Sequence, residues 1–148
     1  MPTLYQDASK LLRAQGGRMT NQRRLILQIL DSVSGHPTAE ELCDLVNECD
    51  PSLNLSTVYR TLRWLESEGL VSTRRFLEDN RQERFDPALP SEHHHFMCSE
   101  CKQVIEFDHP FVDEIRNQFE ENSGSQVQNA SLTFYGLCEE CAEKKKET

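Results

Sequence analysis

Ser56-Thr57-Val58-Tyr59-Arg60-Thr61-Leu62-Arg63-Trp64-Leu65 is followed, beyond Gly69, by Leu70-Val71-Ser72-Thr73-Arg74-Arg75-Phe76-Leu77 and then by Arg81-Gln82-Glu83-Arg84-Phe85. At about 100° per residue, Val58, Leu62 and Leu65 form one narrow stripe, which predicts a helix capped by Ser56 and ended before Gly69. The next two runs read as strands joined by Glu78-Asp79-Asn80. Ser56, Tyr59, Arg60 and Arg63 lie opposite the apolar stripe. An ordinary solvated face is one reading of that side. A helix seated in a DNA major groove is the other, because Arg bonds guanine edges or phosphates, while Tyr or Thr contacts thymine methyls.

Working back from this helix, Asp50 to Asn54 is a loop, and Thr38-Ala39-Glu40-Glu41 is a capping box. It opens a helix through Val46 or Cys49, with Leu42, Leu45 and Val46 as its core stripe. Thr20 caps an earlier helix whose Leu25, Ile26, Ile29, Leu30 and Val33 share one arc, with Arg18 just before it and the turn Ser34 to Pro37 after it. Residues 4 to 15 form a further helix, with Leu4, Ala8, Leu11 and Leu12 at helical spacing and Gly16-Gly17 as its stop. The three helices opened at Thr20, Thr38 and Ser56, followed by a β-hairpin, predict a winged helix-turn-helix. Cys43 and Cys49 lie on different helix faces and read as small buried hydrophobes rather than ligands.

Working forward, Asp86-Pro87-Ala88-Leu89-Pro90-Ser91 has the composition of a hinge. Beyond it come a strand pair over 93–98 and 103–107 and a helix from Pro110 to about Asn122-Ser123-Gly124, with Phe111, Ile115 and Phe119 as its stripe. A strand from Val127 through Tyr135 and a charged tail, Glu143 to Glu147, follow. The expected architecture is α+β: a winged helix-turn-helix over 1–85, a hinge over 86–91, and a small α+β dimerisation and metal-binding domain over 92–148. An edge strand of that second domain is available to pair with a copy of itself.

Two cysteine pairs, Cys98-x-x-Cys101 and Cys138-x-x-Cys141, have the spacing with which a tight turn grips a soft ion. Four thiolates make a closed tetrahedral site, structural rather than catalytic, and the expected occupant is zinc. A pair of redox dithiols is the alternative, but no βαβ order surrounds them. His93-His94-His95 precedes the first pair. In an extended strand His93, His95 and Met97 share one face and His94, Phe96 and Cys98 the other. With Glu106 on the paired strand, His93 and His95 offer nitrogen and oxygen donors suited to iron, manganese, zinc or nickel. Solvated histidines on an exposed loop would give the same composition.

The 148 residues suit one domain or two small ones. No apolar run is long enough to span a bilayer and no signal-like start is present, so the cytoplasm is the expected compartment, without a membrane partner. There, paired cysteines mean metal or redox chemistry. The net charge of −9 argues against a nucleic-acid binder, but the distribution of that charge removes the objection. Residues 1–84 carry eleven Lys and Arg against twelve Asp and Glu, whereas residues 85–148 carry five against thirteen. The acidity belongs to the second half, where bound cations would cancel part of it.

Five stretches together resemble the ferric uptake regulator family over nearly the whole chain: Arg18-Met19-Thr20-Asn21-Gln22-Arg23, His36-Pro37-Thr38-Ala39-Glu40-Glu41-Leu42, Ser56 to Leu62, His93 to Cys101, and Leu132-Thr133-Phe134-Tyr135-Gly136-Leu137-Cys138-Glu139-Glu140-Cys141. The resemblance implies a homodimeric, metal-activated transcriptional repressor that binds a palindromic operator in double-stranded DNA. It implies a regulatory metal, Fe2+, Mn2+ or Zn2+, held by His36, Asp86, His93, His95 and Glu106, and a structural Zn2+ held by Cys98, Cys101, Cys138 and Cys141. The DNA-binding candidates are Arg18, Ser56, Thr57, Tyr59, Arg60 and Arg63. Asp86 differs from the cysteine of the zinc-sensing branch. Glu106 is similar to the iron-sensing branch, while Asp86 and His36-Pro37 are similar to the peroxide-sensing one, so iron-responsive control of metal uptake genes is the expectation and peroxide or zinc sensing the alternative. A further family site matches Glu92, His94, Asp113 and Ala130, and alanine cannot ligate.

Other classes fit less of the chain. A metallohydrolase would need an open metal position, and five donors close the shell. A zinc deaminase would need a His-x-Glu before its Pro-Cys-x-x-Cys, which is absent. A zinc-ribbon adaptor or metallochaperone accounts for the second half but not for the Ser56 to Arg63 face. The expectation is therefore a non-enzyme.

Overall fold

The computed structural model describes residues 3–33, 35–80, 82–87 and 93–147. It divides into two compact units, Met1–Ala88 and Leu89–Thr148.

The first unit holds α1 (Leu4–Ala14), α2 (Asn21–Ser32), α3 (Ala39–Cys49), α4 (Leu55–Ser67), β1 (Val71–Arg75), a 3-10 turn at Leu77–Asp79 and β2 (Glu83–Pro87). Each helix starts on an oxygen that accepts an otherwise orphaned N–H. Thr3 and Thr38 form full capping boxes with Gln6 and Glu41, and Thr20 accepts from Arg23 N. The Asp31 carboxylate on α2 also takes the Leu4 and Tyr5 N–H groups at 2.9 and 3.1 Å, which fastens α1 to α2. Ile26, Leu27, Leu30, Leu42, Val46, Val58, Leu62, Leu65, Val71 and Phe85 make one closed core, so the predicted stripes of α2, α3 and α4 all turn inward.

The cap of α4 differs from expectation. Asn54, not Ser56, is the N-cap, and its Oδ1 accepts from both the N–H and the hydroxyl of Thr57 at 2.9 and 3.0 Å. Two capping residues stand close together here, and the earlier one adds a turn's first residue, Leu55. The hairpin is also shifted. Its strands pair antiparallel with Arg75 opposite Glu83 and Val71 opposite Pro87, so Asp86 and Pro87, read as the start of the hinge, belong to β2. Leu77 turns away into the 3-10 turn, which Asn80 closes in the left-handed region at φ 51°. The wing is sewn to the turn before α3 by Phe85 N donating to Pro37 O at 2.9 Å and by a bridge between Thr38 and Arg84. Cys43 is buried as expected, whereas Cys49, at the last position of α3, is exposed. Ser34, Arg81 and the hinge residues 88–91 lie outside the described residues.

The second unit holds β3 (His94–Cys98), β4 (Val104–Phe107), α5 (Pro110–Ser123), β5 (Thr133–Gly136) and α6 (Glu139–Lys146). Strand β3 is central, antiparallel to β4 and parallel to β5. The helix α5 begins at Pro110, with His109 Nδ1 accepting from Phe111 N, and ends on Gly124 at φ 70°. Of its apolar residues only Val112 is buried, while Phe111, Ile115 and Phe119 are exposed. The strand expected from Val127 is ordered as one only over Thr133–Gly136, because only those residues find a partner in β3. The expected charged tail is the helix α6, with Glu139 and Glu140 in its first turn and Lys144, Lys145 and Lys146 in its last, an order that complements the helix dipole.

Candidate metal centres and nucleic-acid interface

The two Cys-x-x-Cys pairs converge within the second unit. Cys98 ends β3, and the chain then reverses through a turn in which Lys102, at φ 62°, donates its N–H to Cys98 O at 3.0 Å. Cys138 is the N-cap of α6, which carries Cys141 one turn on. The register of β3 with β5, Cys98 opposite Gly136, brings the pairs together. One sulfur from each of the four lies within 4.8 Å of the others, and Cys101 and Cys138 are 3.8 Å apart. That separation is far beyond a disulfide bond. It is the edge, about 3.8 Å, of a tetrahedron whose centre lies about 2.3 Å from each sulfur, the zinc–thiolate distance. The donor set therefore fits zinc.

The thiols are already unequal. The Cys138 N–H, which donates to Cys98 Sγ at 3.4 Å, is the foremost of several backbone donors that pull the Cys98 thiol down to about 6. Sharing a proton with the Cys138 sulfur pushes Cys141 up to about 12. Cys98 is thus a ready thiolate, while burial and the neighbouring sulfurs favour the protonated form of Cys101 and Cys141.

The alternation read from His93 to Cys98 is present. His93 and His95 share a face with ring centroids 4.8 Å apart, and Glu106, opposite His95 in register, lies 3.7 Å from His93 Nε2. His94 faces the other way, with its ring 5.7 Å from that of Phe107, and its Nδ1 accepts the Leu132 N–H at 3.3 Å. Of the further family site, Asp113 is exposed and paired with Arg116 at 3.4 Å, Ala130 has no side-chain donor atom, and Glu92 lies outside the described residues.

In the first unit, His36 and Asp86 form a second donor pair, Nε2 to Oδ2 at 3.2 Å, with both side chains buried. They meet because β2 pairs against the turn before α3. Arg74 Nε stands 3.7 Å from the same Asp86 oxygen, and the Phe76 ring lies edge-on to His36.

The outer face of α4 carries Ser56, Tyr59, Arg60 and Arg63. Arg60 is exposed and has no ion pair among the described residues. Tyr59 donates its phenol to Glu40 at 3.2 Å, and desolvation, reinforced by Glu40, holds its pKa above the usual value. Thr57 is committed to the Asn54 cap. Arg18 is exposed, and its carbonyl accepts from Arg23, whose guanidinium lies 5.1 Å from the centre of the Trp64 ring. Arg63 is pinned between Glu66 and Glu83 above the Phe85 ring. Sequence reasoning missed Glu83, Arg75 and Arg84. The i to i+3 spacing of Arg63 and Glu66 was a signal for part of this network, whereas Glu83 depended on the hairpin register.

The family model of the ferric uptake regulator family matches residues 14–135. The peroxide operon regulator of Bacillus subtilis (strain 168) is 32% identical over 139 residues, 94% of this chain and 94% of its own. Among solved structures, the ferric uptake regulator of Helicobacter pylori superposes with a TM-score of 0.81 at 22% identity, covering 94% of this chain and 91% of that one, a likeness of fold. A zinc-bound manganese uptake regulator superposes with a TM-score of 0.77 at 29% identity, covering 93% and 99%.

Proposed function

Because the chain belongs to the ferric uptake regulator family, we propose that it is a metal-responsive DNA-binding transcriptional repressor that acts as a homodimer in the cytoplasm. The observation that carries this reading is the presence of two chemically distinct donor sets in a chain whose first unit is a winged helix-turn-helix. A four-sulfur set suits structural zinc, and histidines with carboxylates suit an exchangeable Fe2+, Mn2+ or Zn2+.

Cys98, Cys101, Cys138 and Cys141 would hold the structural ion, whose binding energy is folding energy for a unit with few buried apolar residues. His36 and Asp86 from the first unit, with His93, His95 and Glu106 from the second, are proposed as the regulatory ligands. An ion taking donors from both halves favours the arrangement that satisfies them all, and only that difference in affinity shifts a population. Asp86 orients the His36 imidazole, and Arg74 compensates the Asp86 charge. Ser56, Tyr59 and Arg60 are the proposed readers of base edges, with Arg18, Arg63 and Thr57 nearer the backbone. The exposed Ile105, Phe111, Ile115, Phe119 and Phe134 are proposed to be covered by a second copy, and a dimer suits a palindromic operator. With five donors able to close the regulatory shell, neither donor set is read as catalytic.

Glu106 favours iron-responsive control of metal uptake genes. Peroxide sensing is the second reading, favoured by the likeness to the Bacillus subtilis peroxide operon regulator. The deciding experiment is DNA selection by metal-stripped protein supplied separately with Fe(II), Mn(II) and Zn(II). Metal-dependent selection of a palindrome is expected; equal binding of all duplexes with and without metal would refute the proposal.

A further inference from the structure

Glu83 places one carboxylate between two arginines from different elements. Its Oε1 lies 2.6 Å from Arg63 Nη2 on α4, and its Oε2 accepts from Arg75 Nη2 on β1 at 2.9 Å. Glu66 takes the other side of Arg63 at 2.8 Å and is itself fixed by the Thr73 hydroxyl at 3.2 Å. Arg63, Arg75 and Glu83, together with Thr38, Glu40, Tyr59 and Gln82, line a polar cleft of about 290 Å³. The Glu83 side chain is 15% exposed, against 49% for Arg63 and 60% for Arg75, so the anion is sunk between cations that reach solvent.

Ion pairs with such exposed partners add little to stability, so holding the fold does not account for carboxylates gathered on this face. Their effect on a polyanion is larger. Non-specific DNA affinity comes from arginines and lysines that replace condensed counterions on phosphates. An arginine already neutralised by an internal carboxylate must give that partner up to bind a phosphate, and the displaced carboxylate then repels the duplex. Specificity is a difference of affinities, and an element that opposes the wrong partner raises it.

We propose that Glu83 is a specificity-determining residue: it stands in for backbone phosphates at Arg63 and Arg75, suppressing non-specific binding until base contacts by Tyr59 and Arg60 offset its displacement. This rests on the DNA-reading role proposed above for α4.

The test uses the full chain loaded with zinc and Mn(II), a palindromic duplex selected by the wild type from random sequence, and a scrambled duplex of equal length. Binding is measured by fluorescence anisotropy between 50 and 200 mM salt, a range over which phosphate contacts change affinity strongly. Glu83→Gln, which keeps the shape and removes the charge, should bind the scrambled duplex about ten-fold more tightly, with a log K against log salt slope steeper by about 1 to 2. The selected palindrome should gain less, so the ratio of the two affinities falls. Adding Arg75→Gln to this variant should cancel most of the gain. Glu83→Asp, whose shorter carboxylate cannot span both arginines, should move the same way by less, and it serves as the readout if Glu83→Gln fails to fold. Unchanged or weaker binding of the scrambled duplex by a folded variant, with an unchanged slope, would overturn the proposal alone. A wild type that selects no duplex with any metal would overturn the reading on which it rests.

Discussion

Arg84 Nη1 donates to the backbone carbonyl of His36 at 2.8 Å, so the wing strand holds in place the turn that carries a proposed metal ligand. The same guanidinium meets Asp79 through Nε and Glu41 at 3.3 Å, and Glu41 also caps α3 through Thr38 N. One buried arginine therefore ties the 3-10 turn, β2, the His36 turn and the start of α3. Arg84→Met should destabilise the first unit by about 3 kcal/mol, because it takes the guanidinium away from a buried carboxylate. Asp79→Asn in the same chain should restore part of that loss. Trp64, the only tryptophan, lies in this unit, so urea unfolding followed by its fluorescence reads the effect directly.

Tyr59 gives a pH-dependent signal. Its phenol is held above the ordinary value, first by desolvation and then by Glu40. A raised pKa means that the folded state binds the proton more tightly. The stabilisation is full below the unfolded value near 10 and is lost as pH rises through the folded one. Glu40→Gln should move the ultraviolet transition of this phenol to lower pH without returning it fully, since the desolvation remains. A transition unmoved by Glu40→Gln would mean that the pair does not form in solution.

How much of this was legible in the sequence follows from the range of the interactions. The stripes of α2, α3 and α4, the cap at Thr20 and the capping box at Thr38 rest on neighbours three or four residues apart, and such local patterns survive in a single sequence. The four cysteines were readable because metal spacing is itself local in each pair. Register was not. That Arg75 faces Glu83, and that Asp86 belongs to β2, depends on which residues of two distant runs pair, and the alternation of both strands tolerates a shift. Strand β5 is shorter than its composition suggests, because the residues from Val127 are strand-like but β3 offers a ladder to only four of them. The α6 helix escapes a sequence reading because its run of charges hides any apolar period.

The four-sulfur cluster predicts joint loss of metal and structure. Cys138→Ser removes a sulfur donor 3.8 Å from Cys101 at the N-cap of α6, beside the N–H that holds Cys98 as a thiolate. Elemental analysis should show the zinc gone, and the second unit, with little apolar core of its own, should lose its near-ultraviolet circular dichroism. A zinc-free variant that remains folded would refute a structural role.

The exposed stripe of α5 predicts the oligomer. Phe111, Ile115 and Phe119 are 56, 49 and 54% exposed, more apolar surface on one helix face than a solvated helix carries without a partner. Phe119→Glu should convert a dimer to a monomer in light scattering while leaving zinc content unchanged, because Phe119 is remote in sequence from both cysteine pairs. A wild type that is monomeric at micromolar concentration would remove the homodimer from the proposal.

His36 separates metal sensing from folding. Arg74 stands 3.7 Å from Asp86, so the carboxylate keeps a compensating charge when the imidazole is removed. The neighbouring turn stays anchored through its backbone carbonyl to Arg84. His36→Ala should therefore keep the zinc, the dimer and the unfolding midpoint of the first unit, yet lose the dependence of DNA binding on added metal. Glu106 in the proposed ligand set leads to the further expectation that Fe(II) activates the wild type and that His36 and His95 resist metal-catalysed oxidation. Mass spectrometry after Fe(II) loading and low peroxide checks this. Rapid addition of an oxygen atom at either histidine, accompanied by release of DNA, would instead assign the protein to peroxide sensing, the second reading proposed above.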